Sequence, residues 1–176
     1  MTTNKFYNEK ANLSVYVANL DEYVKGNLVG DWVSLPIDED DFEDFLKTIG
    51  NPEEIAIHDF EDNSGLEGVE IGEYMSLKEL NELAGRIANI HIDDIYIVNA
   101  LYEALEDFEQ ALHYYESDNY VAYGDMTLEE IAKEHIEECY DIPEVLKHYI
   151  DYRLYARDMD IKGFYHTTTY GTIEIL

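Results

Sequence analysis

The 176-residue sequence is short of cations and of cysteine: it has eleven Lys or Arg against forty Asp or Glu, a formal net charge of −29, and one Cys. So few cations exclude the basic patches that direct binding of DNA or RNA requires. The single Cys139 excludes an internal disulfide and fits a reducing compartment. The N-terminus has no apolar run typical of a signal peptide, and no stretch approaches the ~20 apolar residues of a membrane span. We therefore expect a cytoplasmic protein without a membrane segment.

What is present indicates a folded chain. Apolar residues make up 46% of the sequence and aromatic residues 13%, with sixteen Tyr, whereas disordered acidic chains are poor in aromatics. The length suffices for one domain or for two or three small modules. The net charge repels itself and opposes compaction. Cations, a basic partner or selection for function must compensate for it.

The first part of the chain predicts a small α+β module over residues 1–70. Alternating apolar residues predict strands at 12–20, 29–35 and 54–60. Asp38 opens a helix that turns Phe42, Phe45, Leu46 and Ile49 inward. Together these elements predict a three-stranded antiparallel sheet with one helix.

The middle part, residues 71–116, predicts helices. Ser76 and Glu79 have the spacing of a capping box at a helix start. A second helix is expected from about residue 93 to about 116. Its apolar stripe continues without interruption at helical spacing, through Leu101, Leu105, Phe108, Leu112 and Tyr115.

The last part, residues 117–176, predicts a strand at 119–123, two helices and a hairpin of strands at 161–168 and 172–176. Thr127 and Glu130 form a second capping box, and its helix is expected to turn His135 and Cys139 toward the interior. Pro143 begins the next helix, whose predicted inner face is Val145, Leu146, Tyr149 and Ile150. The predicted fold class is α+β, as an elongated chain of three small modules.

Acidic residues crowd the predicted helix faces at 38–44, 101–118 and 129–141. An ordinary surface helix mixes charge signs, because opposite charges at i,i+4 stabilise it. One interpretation is a solvated surface that serves solubility or salt adaptation. The other is a surface that imitates nucleic acid or binds a basic partner. Duplex DNA has a charge every ~1.7 Å of axis, so 29 net charges correspond to about 50 Å of DNA and a dimer to about 100 Å.

Signals for catalysis or metal binding are weak. Residues 59–70 resemble a calcium loop, but Ser64 stands where the required Gly belongs and a strand precedes the loop. The six His lack zinc-site spacing, and no GxSxG, Walker A or GxGxxG motif occurs. We expect no enzyme activity, no cofactor and no metal site. A hydrolase with a carboxylate pair and a calcium-buffering protein remain as alternatives.

Four segments carry a resemblance to a known family. They are SVYVANLDEYVKGNLVGDWVSLPID (14–38), EEIAIHDFE (53–61), SLKELNELA (76–84) and IPEVLKHYIDYRLYARDMDIKGFY (142–165). In order and spacing they resemble the ArdA family of antirestriction proteins, carried by plasmids and conjugative transposons. Residues 87–119 match only in character.

The resemblance implies three small domains in a curved rod, joined head to head as a homodimer through the C-terminal region. It implies an acidic surface that resembles bent B-form DNA and occupies the DNA-binding groove of Type I restriction-modification enzymes, on their methyltransferase core. Carboxylates would stand where phosphates stand, and no bond would be made or broken. The alternative is an acidic binding protein for another basic DNA-binding partner, such as a nucleoid protein or a CRISPR effector.

With this interpretation, the predicted contact residues are exposed acids on helix faces. They are Asp38, Glu39, Asp40, Asp41, Glu43 and Asp44, then Glu103, Glu106, Asp107 and Glu109, then Glu129, Glu130, Glu134, Glu137 and Glu138. We further expect Tyr149, Tyr152 and Tyr155 in or near the dimer contact, with ordinary core positions as the alternative.

Overall fold

A computed structural model describes residues 4–176 and has a mixed α+β fold with two three-stranded antiparallel sheets, one near each end of the chain, and helices between them. The predicted α+β class is therefore confirmed. The chain divides into two compact units, a first that ends at Ile92 and a second, Asp93–Leu176. Along residues 4–176, none of the helices is both long enough and apolar enough to cross a membrane.

The sheet of the first unit has the order β2-β1-β3. Its strands are β1 (Leu13–Asn19), β2 (Gly30–Leu35) and β3 (Ile55–Asp62). The central strand β1 has a partner strand on each side and is buried along nearly its whole length. The short helix α1 (Leu20–Tyr23) follows it directly.

Helix α2 (Glu39–Thr48) begins after its N-cap Asp38, as predicted, and buries Phe42 and Phe45. The apolar residues of this helix thus face the core, while its acids face solvent. The sheet and the helix together form the predicted N-terminal α/β arrangement.

Helix α3 (Leu77–Ala88) begins with the predicted capping box of Ser76 and Glu79. Within the first unit, the side chain of Asn81 connects α3 to the segment between β2 and α2, because it accepts from the N–H of Ile37 at 3.0 Å and donates to the carbonyl of Ile37 at 2.5 Å. The chain thus has two compact units by its contacts. The three-module division at 70/71 and 116/117 stays a prediction.

The single helix predicted to about residue 116 is wrong, because the chain forms α4 (Ile95–Leu105) and α5 (Phe108–Glu116). A 3₁₀ turn, Ile92–Asp94, precedes α4. Glu106 ends α4 in the left-handed conformation, with φ 54°. Asp107 then caps α5 by accepting from the N–H of Gln110 at 2.9 Å. Asp107 thus starts a new helix where the apolar stripe alone suggested continuation.

The sheet of the second unit has the order β4-β6-β5. Its strands are β4 (Tyr120–Ala122), β5 (Tyr165–Thr168) and β6 (Gly171–Ile175). The strand predicted at 161–168 begins only at Tyr165, because helix α8 (Tyr152–Ile161) occupies the start of that segment. Gly163, with φ 76°, turns the chain between α8 and β5.

Helix α6 (Leu128–Cys139) starts with the predicted capping box of Thr127 and Glu130 and buries Ile131, Ala132 and Ile136. The prediction that His135 and Cys139 face inward is wrong, since both are exposed.

The inner face predicted after Pro143 is also wrong. Helix α7 (Glu144–Lys147) is a single turn, and Val145, Leu146 and Tyr149 are 69%, 50% and 83% exposed. The core beside α6 is formed instead by Ala156 and Met159 of α8.

Candidate binding surface

The first group of predicted acids lies on helix α2, and all six are exposed. Asp38 accepts from the N–H of Asp41 at 2.8 Å, so this carboxylate stabilises the start of the helix. The first turn also contains Glu39, Asp40 and Asp41, where the positive end of the helix dipole favours negative charge. The fold therefore stabilises several like charges at this end of α2.

Asp44, near the other end of α2, is ion-paired. It accepts from Lys47 at 2.8 Å, and Lys5 lies 4.0 Å from it. The hydrogen bond from Lys47 is the main cause that lowers the pKa of Asp44. This carboxylate stays charged near neutral pH but shares its charge with cations.

The second group lies at the junction of α4 and α5. Glu103 of α4 is exposed and accepts from the N–H and the hydroxyl of Thr169 at 2.9 and 2.6 Å. Glu106 is exposed, whereas Asp107 is half-buried. Hydrogen bonds from the backbone and the side chain of Gln110 lower the pKa of Asp107. Glu109 follows in the first turn of α5, so the helix break brings acids to one end of α4 and to the start of α5.

The third group lies on α6 and includes acids with structural contacts. Glu130 closes the capping box, and hydrogen bonds from Thr127 lower its pKa. Glu129 lies 3.5 Å from the guanidinium of Arg153. Glu129, Glu130, Glu134 and Glu138 are all exposed, and the contacts above hold the first two in place.

Glu137 differs from the other acids of α6 because it is half-buried. Its carboxylate lies 3.6 Å from Lys147 and accepts from the hydroxyl of Tyr152 at 3.3 Å. This acid connects α6 to α7 and α8, so its contacts are those of a structural residue.

The three predicted interface tyrosines have different environments. Tyr149 is 83% exposed, while Tyr152 and Tyr155 are half-buried. The hydroxyl of Tyr155 forms a 2.9 Å hydrogen bond with Nδ1 of His135, and the two rings stack with centroids 5.8 Å apart. The structure therefore exposes one tyrosine and packs the other two along α6.

Exposed apolar side chains in this part of the chain were missed by the sequence reasoning. Val145 and Leu146 precede Tyr149, and Ile161 and Phe164 are 74% and 54% exposed. The helical spacing of Val145, Leu146 and Tyr149 was interpreted as a core stripe, whereas Ile161 and Phe164 were assigned to a strand. Periodicity alone does not reveal which face of an element is covered.

The residues of the two alternative functions, calcium binding and hydrolysis, can be located in the structure. Asp59 and Glu61, the start of the calcium-like loop, lie within strand β3, so the entering helix of an EF-hand is replaced by a strand. In the part of the chain from residue 4 onward, no three His, Cys, Asp or Glu side chains gather as a metal site would require. Glu103, Asp160 and His166 line an open cleft of about 360 Å³.

The chain matches the model of the family described as Antirestriction protein (ArdA) over residues 15–174. The matched range includes all three groups of acids and the three tyrosines. A comparison with curated proteins gives no match.

Proposed function

The chain belongs to the ArdA family of antirestriction proteins, and from this premise we propose that its acidic surface mimics bent B-form DNA. In this proposal the surface occupies the DNA-binding groove of a Type I restriction-modification enzyme, on its methyltransferase core. An antirestriction protein interacts with restriction enzymes, and its family is one of inhibitors rather than catalysts.

The observation that carries the proposal is that helices present many carboxylates, while the chain has too few cations to neutralise them. Eleven Lys and Arg cannot pair with forty acids. On α2 the acids are exposed, the Asp38 cap stabilises the start of the helix, and the positive end of the helix dipole favours negative charge in its first turn. Such carboxylates offer fixed negative charges to the Lys and Arg side chains that line a DNA-binding groove.

The mechanism requires binding alone. A distributed array of charges steers association with a basic groove and weakens as salt screens it. Because each contact contributes little binding free energy, single substitutions are expected to weaken binding slightly, and substitution of a whole cluster is expected to weaken it strongly. A hydrolase would instead depend on one or two indispensable acids.

We also propose that the protein acts as a homodimer joined through its C-terminal region. Val145, Leu146 and Tyr149 are exposed apolar or aromatic side chains, and such patches are typical of protein interfaces. Tyr152 and Tyr155 belong to the same proposal, as residues in or near this contact.

The test is a binding experiment with the purified protein and a Type I methyltransferase core at low and high salt, with and without competing duplex DNA. Mimicry predicts binding that DNA displaces and that falls steeply as salt rises. An absence of binding at low salt to several such enzymes would contradict the proposal. The remaining candidate would then be an acidic protein for another basic partner, such as a nucleoid protein or a CRISPR effector.

A further inference from the structure

The first unit exposes an apolar turn, residues 23–28, between α1 and β2. Tyr23, Val24 and Leu28 of this turn are 53%, 80% and 70% exposed. Large apolar side chains grouped on a surface are typical of interaction sites. The acidic array of the proposed function leaves this turn without a role.

Glu22 holds the turn in one conformation. Its carboxylate accepts from Nζ of Lys25 at 2.8 Å and from Nδ2 of Asn27 at 2.9 Å. Its carbonyl accepts from the N–H groups of Lys25 and Asn27, both at 3.0 Å. Gly26 adopts the left-handed backbone conformation that the turn requires, with φ 86°.

The aromatic ring of Tyr23 is also held, because it meets the His58 ring edge-on with centroids 5.0 Å apart. A turn fixed in this way loses little conformational entropy when it binds. Its apolar side chains are therefore presented to a partner in a preformed arrangement.

The surroundings of the turn are anionic. Asp21 accepts from the N–H of Glu53 at 2.8 Å, which brings this acid and the exposed Glu54 beside the turn. The cation of the turn, Lys25, is paired with Glu22. Charge of one sign around an apolar centre opposes an anionic partner, such as a nucleic acid or an anionic membrane. It favours an apolar patch bordered by cations.

We propose that the apolar turn docks on an apolar patch bordering the cationic DNA-binding groove of the restriction enzyme. This inference rests on the proposed function and adds to it a contact that DNA itself lacks. The carboxylates supply the part of the affinity that salt screens, and the turn supplies a part that salt leaves unchanged.

The test is the double variant Val24→Ser/Leu28→Ser, titrated as the full chain against a Type I methyltransferase core over a series of salt concentrations. Loss of two buried apolar side chains is expected to raise Kd by about tenfold or more at every salt concentration. The slope of log Kd against log salt stays that of the wild type, because no charge has changed.

The matched control is Ile92→Ser, since Ile92 is 72% exposed and lies outside the turn. Its Kd is expected to change by less than about twofold, as for surface substitutions in general. Thermal unfolding of all three proteins checks that the fold is kept.

The outcomes separate this inference from the proposed function. A wild type that binds, with a double variant that binds equally well, would overturn the docking of the turn and leave the mimicry standing. A wild type that fails to bind at any salt concentration would overturn both. An altered oligomeric state of the double variant would assign the turn to contacts between copies and would also overturn the inference.

Discussion

At the scale of single residues, Glu106 has an unusual backbone for its type. Its φ of 54° lies in the left-handed region, which suits Gly and Asn better than a residue with a long side chain. This position separates α4 from α5 and so fixes where the acids of both helices lie.

Glu106→Gly is expected to raise the free energy of unfolding by about 1 kcal/mol, because Gly adopts this conformation without the clash of a Cβ atom. Urea unfolding measures the change. Glu106→Ala is the matched control, since it removes the same charge and keeps the Cβ atom. Equal shifts in the two variants would show that charge, and not the backbone, is responsible.

Tyr123 gives the second unit a sensitivity to alkaline pH. Burial, and then its hydrogen bond to Glu174 at 2.9 Å, raise the pKa of Tyr123 to about 12. The unfolded chain loses this proton near pH 10. Below about pH 10 both states keep the proton, and from there to about pH 12 the folded state alone keeps it, so stability falls as pH rises through this window.

The expected result is a urea midpoint that falls from about pH 10 upward, and falls less steeply in Tyr123→Phe. In Tyr123→Phe, the urea midpoint still falls with pH because of Tyr165, whose pKa is raised mainly by burial and also by Glu174. Identical slopes in wild type and variant would contradict the assignment to Tyr123.

At the scale of elements, α2 is the clearest carrier of proposed contacts, because its acids are exposed and lie on one helix. The triple variant Asp40→Asn/Asp41→Asn/Glu43→Gln removes three charges and leaves the Asp38 cap and the Asp44 ion pair intact. Its binding to a Type I methyltransferase core is expected to weaken by about tenfold, or ~1.4 kcal/mol. Each single variant is expected to lose less than about threefold.

A charge-matched control is Glu9→Gln/Glu70→Gln/Asp125→Asn, which neutralises three exposed acids outside the helices. A smaller loss than in the α2 variant is expected of it. Equal losses would indicate that total charge, and not the helix face, determines binding.

The elements also show how far sequence reasoning reaches. The starts of α2, α3 and α6 were predictable, because each has an N-cap residue whose side chain accepts from a backbone N–H three residues later, and this spacing is visible in the sequence. The break after Leu105 was not predictable from periodicity, since Leu105 and Phe108 continue the stripe and Glu106 is an unusual residue for a left-handed position.

The segment after Pro143 failed for a different reason. A stripe of apolar residues predicts one face of a helix, but α7 ends after a single turn and α8 supplies the core instead. Which helix covers a core depends on tertiary packing. In the same way, composition predicted an acidic surface, while the half-buried position of Glu137 depends on its contacts with Lys147 and Tyr152.

At the scale of the whole molecule, the net charge of −29 has opposite consequences for folding and for binding. Self-repulsion destabilises the compact state, and salt shortens the screening length from ~30 Å at 0.01 M to ~8 Å at 0.15 M. Adding salt over this range is expected to raise Tm by about 2–4 °C, equivalent to ~1 kcal/mol for a chain of this length. The same salt is expected to weaken binding to the restriction enzyme.

Thermal unfolding followed by circular dichroism, at matched salt concentrations with the binding titration, tests this opposition. A Tm that falls with salt would indicate that ion pairs stabilise the fold more than repulsion destabilises it. The α2 triple variant serves as an internal comparison, because its lower net charge predicts a smaller rise in Tm.

The exposed thiol of Cys139 at the end of α6 has a practical consequence. Since the chain contains one cysteine, a maleimide fluorophore or a nitroxide attaches at a single known position without any substitution. That position adjoins Glu138 on a helix of the proposed contact surface. The wild-type protein thus offers a single labelling site for a spectroscopic reporter of contacts at this end of α6.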